Sequence, residues 1–191
     1  MTLANQLTLL RVLLIPLFVA VFYLPFIWRY PLSAAIFGLA ALTDWLDGYI
    51  ARKYNQTTAF GAFLDPVADK LMVVVALVLL VEVNASPWFA IPASVIICRE
   101  IVVSALREWM AELGKRASVA VSYIGKFKTT GQMTAIIVLL AFEPLKHPVL
   151  TGIGYGLLYT AAILTLWSMI LYLKAAWPEL WPKTNDAKKG G

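Results

Sequence analysis

The chain is nearly without cysteine and histidine, and poor in charge. Cys98 is its one cysteine and His147 its one histidine, in 191 residues. A single thiol excludes any intrachain disulfide. Cys98 falls inside an apolar block, where the expected role is a buried, inert thiol. No Ser-His-Asp or Cys-His nucleophilic set is expected: His147 falls in a connection on the side opposite the carboxylates and reads as a solvated loop residue. A single cysteine also excludes a multi-thiolate metal site. Charged residues make up 14% of the chain and hydrophobic ones 61%, against roughly 45–50% apolar in soluble domains. That excess comes in long blocks. A bilayer core about 30 Å thick takes about 20 apolar residues per helix. The first block does not read as a cleaved leader and is expected to be the first permanent span: Arg11 stands where an uninterrupted apolar core should begin, and Pro25 and Trp28 stand where small residues would mark cleavage.

The blocks predict an all-α, polytopic membrane bundle of six transmembrane helices. They cover about Leu7–Tyr23, Leu32–Tyr49, Gly61–Val83, Trp88–Leu113, Tyr123–Phe142 and Val149–Leu173. A polar connection from Arg52 to Thr58 separates the second from the third. Pro25, Pro31, Pro87, Pro144 and Pro148 punctuate the connections. Residues 1–177 form one catalytic unit on this reading, and residues 178–191 a mobile polar tail. Trp28, Trp88, Trp167 and Trp177 lie near span ends, as interfacial anchors do.

Four carboxylates interrupt this pattern. Asp44 and Asp47 lie in the second span, three residues apart; Asp65 and Asp69 lie in the third, four apart. Each pair shares a helix face. Consecutive antiparallel helices can turn the two faces toward each other near one end of the bundle. A charge deep in a bilayer costs at least about 2.5 kcal/mol, and four like charges also repel. A divalent cation answers both costs. An all-oxygen set suits Mg²⁺ or Mn²⁺, and four carboxylates can bridge two ions. Gly48, Ala51 and Gly61 leave room beside them for a bulky phosphate-bearing ligand. Asp65-Pro66 is either an N-cap with proline in the first turn, or lies within a helix that starts earlier and kinks at Pro66.

Asp44-x-x-Asp47-Gly48-x-x-Ala51-Arg52, eight further residues, then Gly61-x-x-x-Asp65-x-x-x-Asp69 resembles the full signature of the CDP-alcohol phosphatidyltransferases. Asn5-x-x-Thr8-x-x-Arg11 is similar to that family's N-terminal segment. Arg99-Glu100, Arg107-Glu108-Trp109 and Gly125-Lys126-x-Lys128-Thr129 resemble the branch that joins CDP-diacylglycerol to sn-glycerol 3-phosphate.

The resemblance implies the CDP-alcohol phosphotransferase fold, a homodimer and a bacterial cytoplasmic (inner) membrane location. It implies metal binding by Asp44, Asp47, Asp65 and Asp69, with Asp69 also the general base. It places Asp44, Gly48, Ala51, Arg52, Gly61, Arg11, Thr8 and Asn5 on the CDP-lipid. Arg99 and Arg107, eight residues apart and so close to one stripe of the fourth span, are with Lys128 and Lys126 at the start of the fifth the candidates for the acceptor phosphate. A deep arginine needs an anion, and Glu100, Glu108 and Glu112 offer an internal ion-pair network as the competing explanation. Partners are membrane lipid and the two substrates, with no nucleic acid. A sister enzyme with another acceptor (an inositol phosphate, serine or phosphatidylglycerol) is the nearest alternative. A divalent-cation transporter is the alternative of another class, but it needs acidic residues through the whole bilayer depth rather than at one end.

Charge also predicts orientation. Arg52, Lys53, Lys115, Arg116, Lys174, Lys183, Lys188 and Lys189 fall on the side of both termini, whereas the opposite connections carry only Arg29 and Lys146. By the positive-inside bias both termini and the active site are cytoplasmic. Single cysteines introduced next to Lys115 should therefore react only from the cytoplasmic side of sealed vesicles, and cysteines next to His147 only from outside. Outside labelling at Lys115 contradicts the span count.

Overall fold

A computed structural model describes residues 3–54, 59–113 and 123–180. Within these, the side chains of residues 3–5, 45, 47–54, 59–63, 65, 66, 123–128 and 178–180 fall outside the described set. The described chain is all-helical: α1 (Leu3–Tyr23), α2 (Arg29–Tyr54), α3 (Ala59–Asn84), α4 (Pro87–Glu112), α5 (Tyr123–Ala141) and α6 (Pro148–Leu180).

The elements match the expected six in number and order, with longer ends. Pro31 lies in the first turn of α2 rather than before it, because a first-turn proline gives up only an N–H that has no partner there. Arginine and lysine are good helix formers, so α2 runs through Arg52 and Lys53 into the stretch expected to be a polar connection. Helix α3 begins at Ala59, which puts residues 65 and 66 inside it and excludes an N-cap at 65. Lys174, Ala175 and Ala176 carry α6 on to Leu180, past the expected tail boundary. Residues 181–191 lie outside the described residues.

Between α3 and α4 the chain turns in two residues. Ala85 takes a left-handed φ of 42°, and its N–H still closes on Val81 O at 2.9 Å. Ser86 is extended, and Pro87 opens α4.

Packing closes the helices into a ring in the order α1, α2, α5, α6, α4, α3, with lesser contacts across it from α3 to α2 and α5. Phe18, Phe37, Leu77, Leu80, Phe89, Ile96, Ile136, Leu140 and Leu158 fill the middle, each with at most 1% of its surface exposed. Phe18 meets Phe37 with ring centroids 6.4 Å apart. The outside is apolar too: Leu13, Leu39, Val78, Ile101, Ile163 and Trp167 all point out. A bundle apolar on both faces suits lipid, not water. Helices α1, α4 and α6 each contain a stretch long and apolar enough to cross a membrane. Cys98 is exposed on the outside of α4, not buried as expected. It neighbours the inward-facing Arg99, so a turn of about 100° per residue carries it off the core face.

Polar links tie the ring at the end remote from the aspartates. Tyr23 of α1 donates to Glu82 of α3. The Tyr155 hydroxyl donates to Asn84 Oδ1 at 3.1 Å, and Tyr159 to the Trp88 carbonyl at 2.7 Å. These join α6 to α3 and α4.

Among the described glycines, Gly154 sits against a close neighbour. A Cβ there would lie 2.6 Å from Leu139 Cγ and 2.7 Å from its Cδ2. Leu139 is itself 3% exposed and cannot swing clear. Gly154→Ala is therefore expected to cost about 1–3 kcal/mol through overpacking. Thermal unfolding in detergent should show the loss. Adding Leu139→Ala should recover part of it, so the two changes should be non-additive.

Candidate active site

Two of the four aspartates expected to converge, Asp44 and Asp69, meet at a third partner. Arg11 of α1 is 1% exposed. Its Nη1 lies 2.5 Å from Asp69 Oδ1 of α3 and 3.3 Å from Asp44 Oδ1 of α2. The depths agree. Arg11 stands eight residues into α1, Asp69 ten into α3, and Asp44 ten before the end of α2. At 1.5 Å per residue each is about 12–15 Å in from one end of the bundle. Thr8, one turn before Arg11 on the same face, is equally buried.

The site has a closed side and an open side. Asp44 keeps 47% of its side-chain surface and Asp69 36%, whereas Arg11 keeps 1%. Below them a small pocket runs between Arg11, Asp44 and Asp69 on its polar side and Phe37, Met72 and Met133 on its apolar side. Lys70, beside Asp69 in sequence, turns to α4 and donates to Ser104.

Among the described residues no three His, Cys, Asp or Glu side chains gather. Asp44 and Asp69 are the described half of the quartet. The side chains of Asp47 and Asp65 lie outside the described residues, as do those of Asn5, Ala51, Arg52, Lys126 and Lys128, and the surroundings of Gly48 and Gly61. The donors fit a hard divalent ion: they are carboxylate oxygens on two helices, already drawn to one cation and still open on the outer side.

The second basic group lies elsewhere in the ring. Arg99 of α4 is 7% exposed. Its Nη1 binds Glu100 Oε1 at 2.6 Å, and its Nη2 donates to Ser168 Oγ of α6 at 3.2 Å. Its Nε, also buried, has no hydrogen-bond partner among the described residues. Arg107 is exposed, with its guanidinium 5.8 Å from the Tyr172 ring centre. Both arginines thus face α6, and no described contact joins either to Asp44 or Asp69. For Arg99 the internal ion pair with Glu100 is what the structure contains. His147 is exposed in the α5–α6 connection, its ring centre 5.3 Å from that of Phe142.

Sequence reasoning put Arg11 with the CDP-lipid and missed its bridge to the two aspartates. The signal was present: an arginine two turns into an apolar helix needs an anion at its own depth, and the aspartates are such anions.

Comparison with known proteins is consistent with this arrangement. The family described as CDP-alcohol phosphatidyltransferase matches residues 1–169. A protein of Pectobacterium atrosepticum is 60% identical over 174 residues, covering 91% of this chain and 94% of its own length. Relatives from Sodalis glossinidius and Yersinia pestis are 59% and 58% identical over the same shares. All three carry the name CDP-diacylglycerol–glycerol-3-phosphate 3-phosphatidyltransferase.

Proposed function

We propose, given that this chain belongs to the CDP-alcohol phosphatidyltransferase family, that it transfers the phosphatidyl group of CDP-diacylglycerol to sn-glycerol 3-phosphate. The products are phosphatidylglycerol phosphate and CMP. The observation that carries this reading is the 58–60% identity, over 91% of the chain, to relatives named for that reaction.

The roles follow from charge and depth. Asp44, Asp47, Asp65 and Asp69 hold one or two Mg²⁺ or Mn²⁺ ions. When bound, such ions neutralise the diphosphate and stabilise the departing CMP. Asp69 accepts the proton of the attacking glycerol hydroxyl. That hydroxyl displaces CMP at the phosphorus bonded to diacylglycerol in one step. Arg52, at the outer end of α2, pairs with the nucleotide phosphates. Gly48, Ala51 and Gly61 leave the backbone open beside it, with Asn5 and Thr8 on the neighbouring helix.

Arg107 is the leading group for the acceptor phosphate, together with Lys126 and Lys128 at the entry of α5. It is exposed, and among the described residues it contacts no carboxylate. Arg99 joins them with its charge already met by Glu100, so it contributes directed N–H groups more than net charge.

We further read all six helices as membrane spans. Helices α2 and α3 carry charged site residues within long apolar stretches, and α2, α3 and α5 pack in one ring with the three apolar helices α1, α4 and α6. The reading includes the bacterial inner membrane, a cytoplasm-facing site and a homodimer. Small residues on α4 and α5 permit close helix packing, which supports association without specifying it.

Purified protein given CDP-diacylglycerol and a panel of acceptors should make phosphatidylglycerol phosphate only from glycerol 3-phosphate, as read by product mass. Efficient use of serine or free glycerol would refute the phosphate acceptor. EDTA should abolish turnover, and Mg²⁺ or Mn²⁺ should restore it. Asn at any of the four aspartates should remove nearly all activity in folded protein.

Arg107→Ala should raise the acceptor KM about tenfold or more, since a hydrogen bond to a charged group contributes about 1.5–3 kcal/mol. The KM for CDP-diacylglycerol should barely move. Equal rises in both KM values would make Arg107 structural.

A further inference from the structure

Arg11 lies on the closed side of a site whose carboxylates open outward. A cation arriving from outside meets Asp44 and Asp69 before it meets the guanidinium. Nothing in that approach requires Arg11 to leave. One nitrogen, Nη1, reaches Oδ1 of both aspartates, so a single group ties α1 to α2 and to α3. Contact between α2 and α3 themselves is sparse beside what each makes with α1. The registration of the two aspartate-bearing helices therefore passes largely through α1, and at this depth through Arg11.

We propose that Arg11 is a positioning residue: a built-in counter-cation that holds Asp44 and Asp69 together before any divalent ion binds, and whose charge weakens the binding of that ion. The inference rests on the metal-dependent reading above. Without Arg11 the facing carboxylates repel, and the protein then depends on an added ion to hold α2 and α3 in place. With Arg11, one of the quartet's four negative charges is met by the chain itself. The site is assembled when empty, and its affinity for the ion is moderated. A guanidinium suits this task because its charge is fixed and its planar nitrogens can engage two carboxylates together.

The test uses full-length protein in detergent, with Mn²⁺ binding read by electron paramagnetic resonance and stability by thermal unfolding. Arg11→Gln should lower the metal-free melting temperature by about 5–10 °C, as breaking a buried ion pair does. Mn²⁺ should restore most of that loss, and Arg11→Gln should bind Mn²⁺ about tenfold more tightly than the wild type, because a nearby positive charge is gone. Unchanged or weaker Mn²⁺ affinity, or a stability loss that Mn²⁺ does not repair, would overturn the proposal while leaving metal dependence standing. Absence of Mn²⁺ binding by the wild type would instead remove the metal reading, and this inference with it.

If Arg11→Gln does not fold without metal, the double variant Arg11→Gln/Asp69→Asn decides. Removing one carboxylate along with its counter-charge should give protein that folds without metal. A double variant no more stable than Arg11→Gln would overturn the proposal. A side chain that merely fills space would predict neither the tighter Mn²⁺ binding nor this recovery.

Discussion

A guanidinium sealed among three helices, with two aspartates within 3.3 Å of it, sets the terms for the rest of this molecule. A buried ion is stable only beside its opposite, and removing one partner of such a pair typically costs about 3–5 kcal/mol. The pair therefore fixes more than its own geometry. It brings α1, α2 and α3 to one depth, and it keeps two carboxylates together in an environment that would otherwise separate them. This end of the bundle is organised by attraction between unlike charges, and only then by packing.

The remainder of the ring is arranged to permit that concentration of charge. Large apolar side chains fill the middle, and more of them cover the outside. Backbone polar groups are satisfied within the helices, as hydrocarbon surroundings require. Pro16 and Pro92, inside α1 and α4, are tolerated where neighbouring helices surround the chain. At the far end, tyrosine hydroxyls link helix ends with neutral or single-charge hydrogen bonds. The buried Arg11 and its aspartates lie toward one end and the tyrosine hydrogen bonds at the other, which gives the bundle a polarity along its axis.

The two basic groups are treated differently. Arg11 is neutralised by the aspartates themselves. Arg99 sits across the ring beside its own carboxylate, Glu100, and against Ser168 of α6. Arg107, on the same stripe two turns further along, stays exposed beside Tyr172. Deep arginines thus carry their counter-charge with them, while one nearer the helix end stays exposed. This gradient follows from depth, because the cost of an unpaired charge falls toward the interface.

Much was legible in the residues before any coordinates. Apolar blocks of membrane length give six helices in order, and the i, i+3 and i, i+4 spacings place Asp44, Asp47, Asp65 and Asp69 on two faces near one end. Both depend on local chain geometry, which sequence spacing specifies directly. Helix ends were less legible: Pro31 reads as a break yet fits a first turn, and Arg52-Lys53 reads as a loop yet continues a helix. Cys98 read as buried because its neighbours are apolar, but in a bundle facing lipid an apolar neighbourhood does not distinguish inside from outside. Which charges meet was decided by tertiary structure alone. Arg11 precedes Asp69 by 58 residues, and Arg99 lies 69 from Ser168. Such partners share only a depth in the bundle, and which helix lies beside which at that depth depends on how all six close the ring.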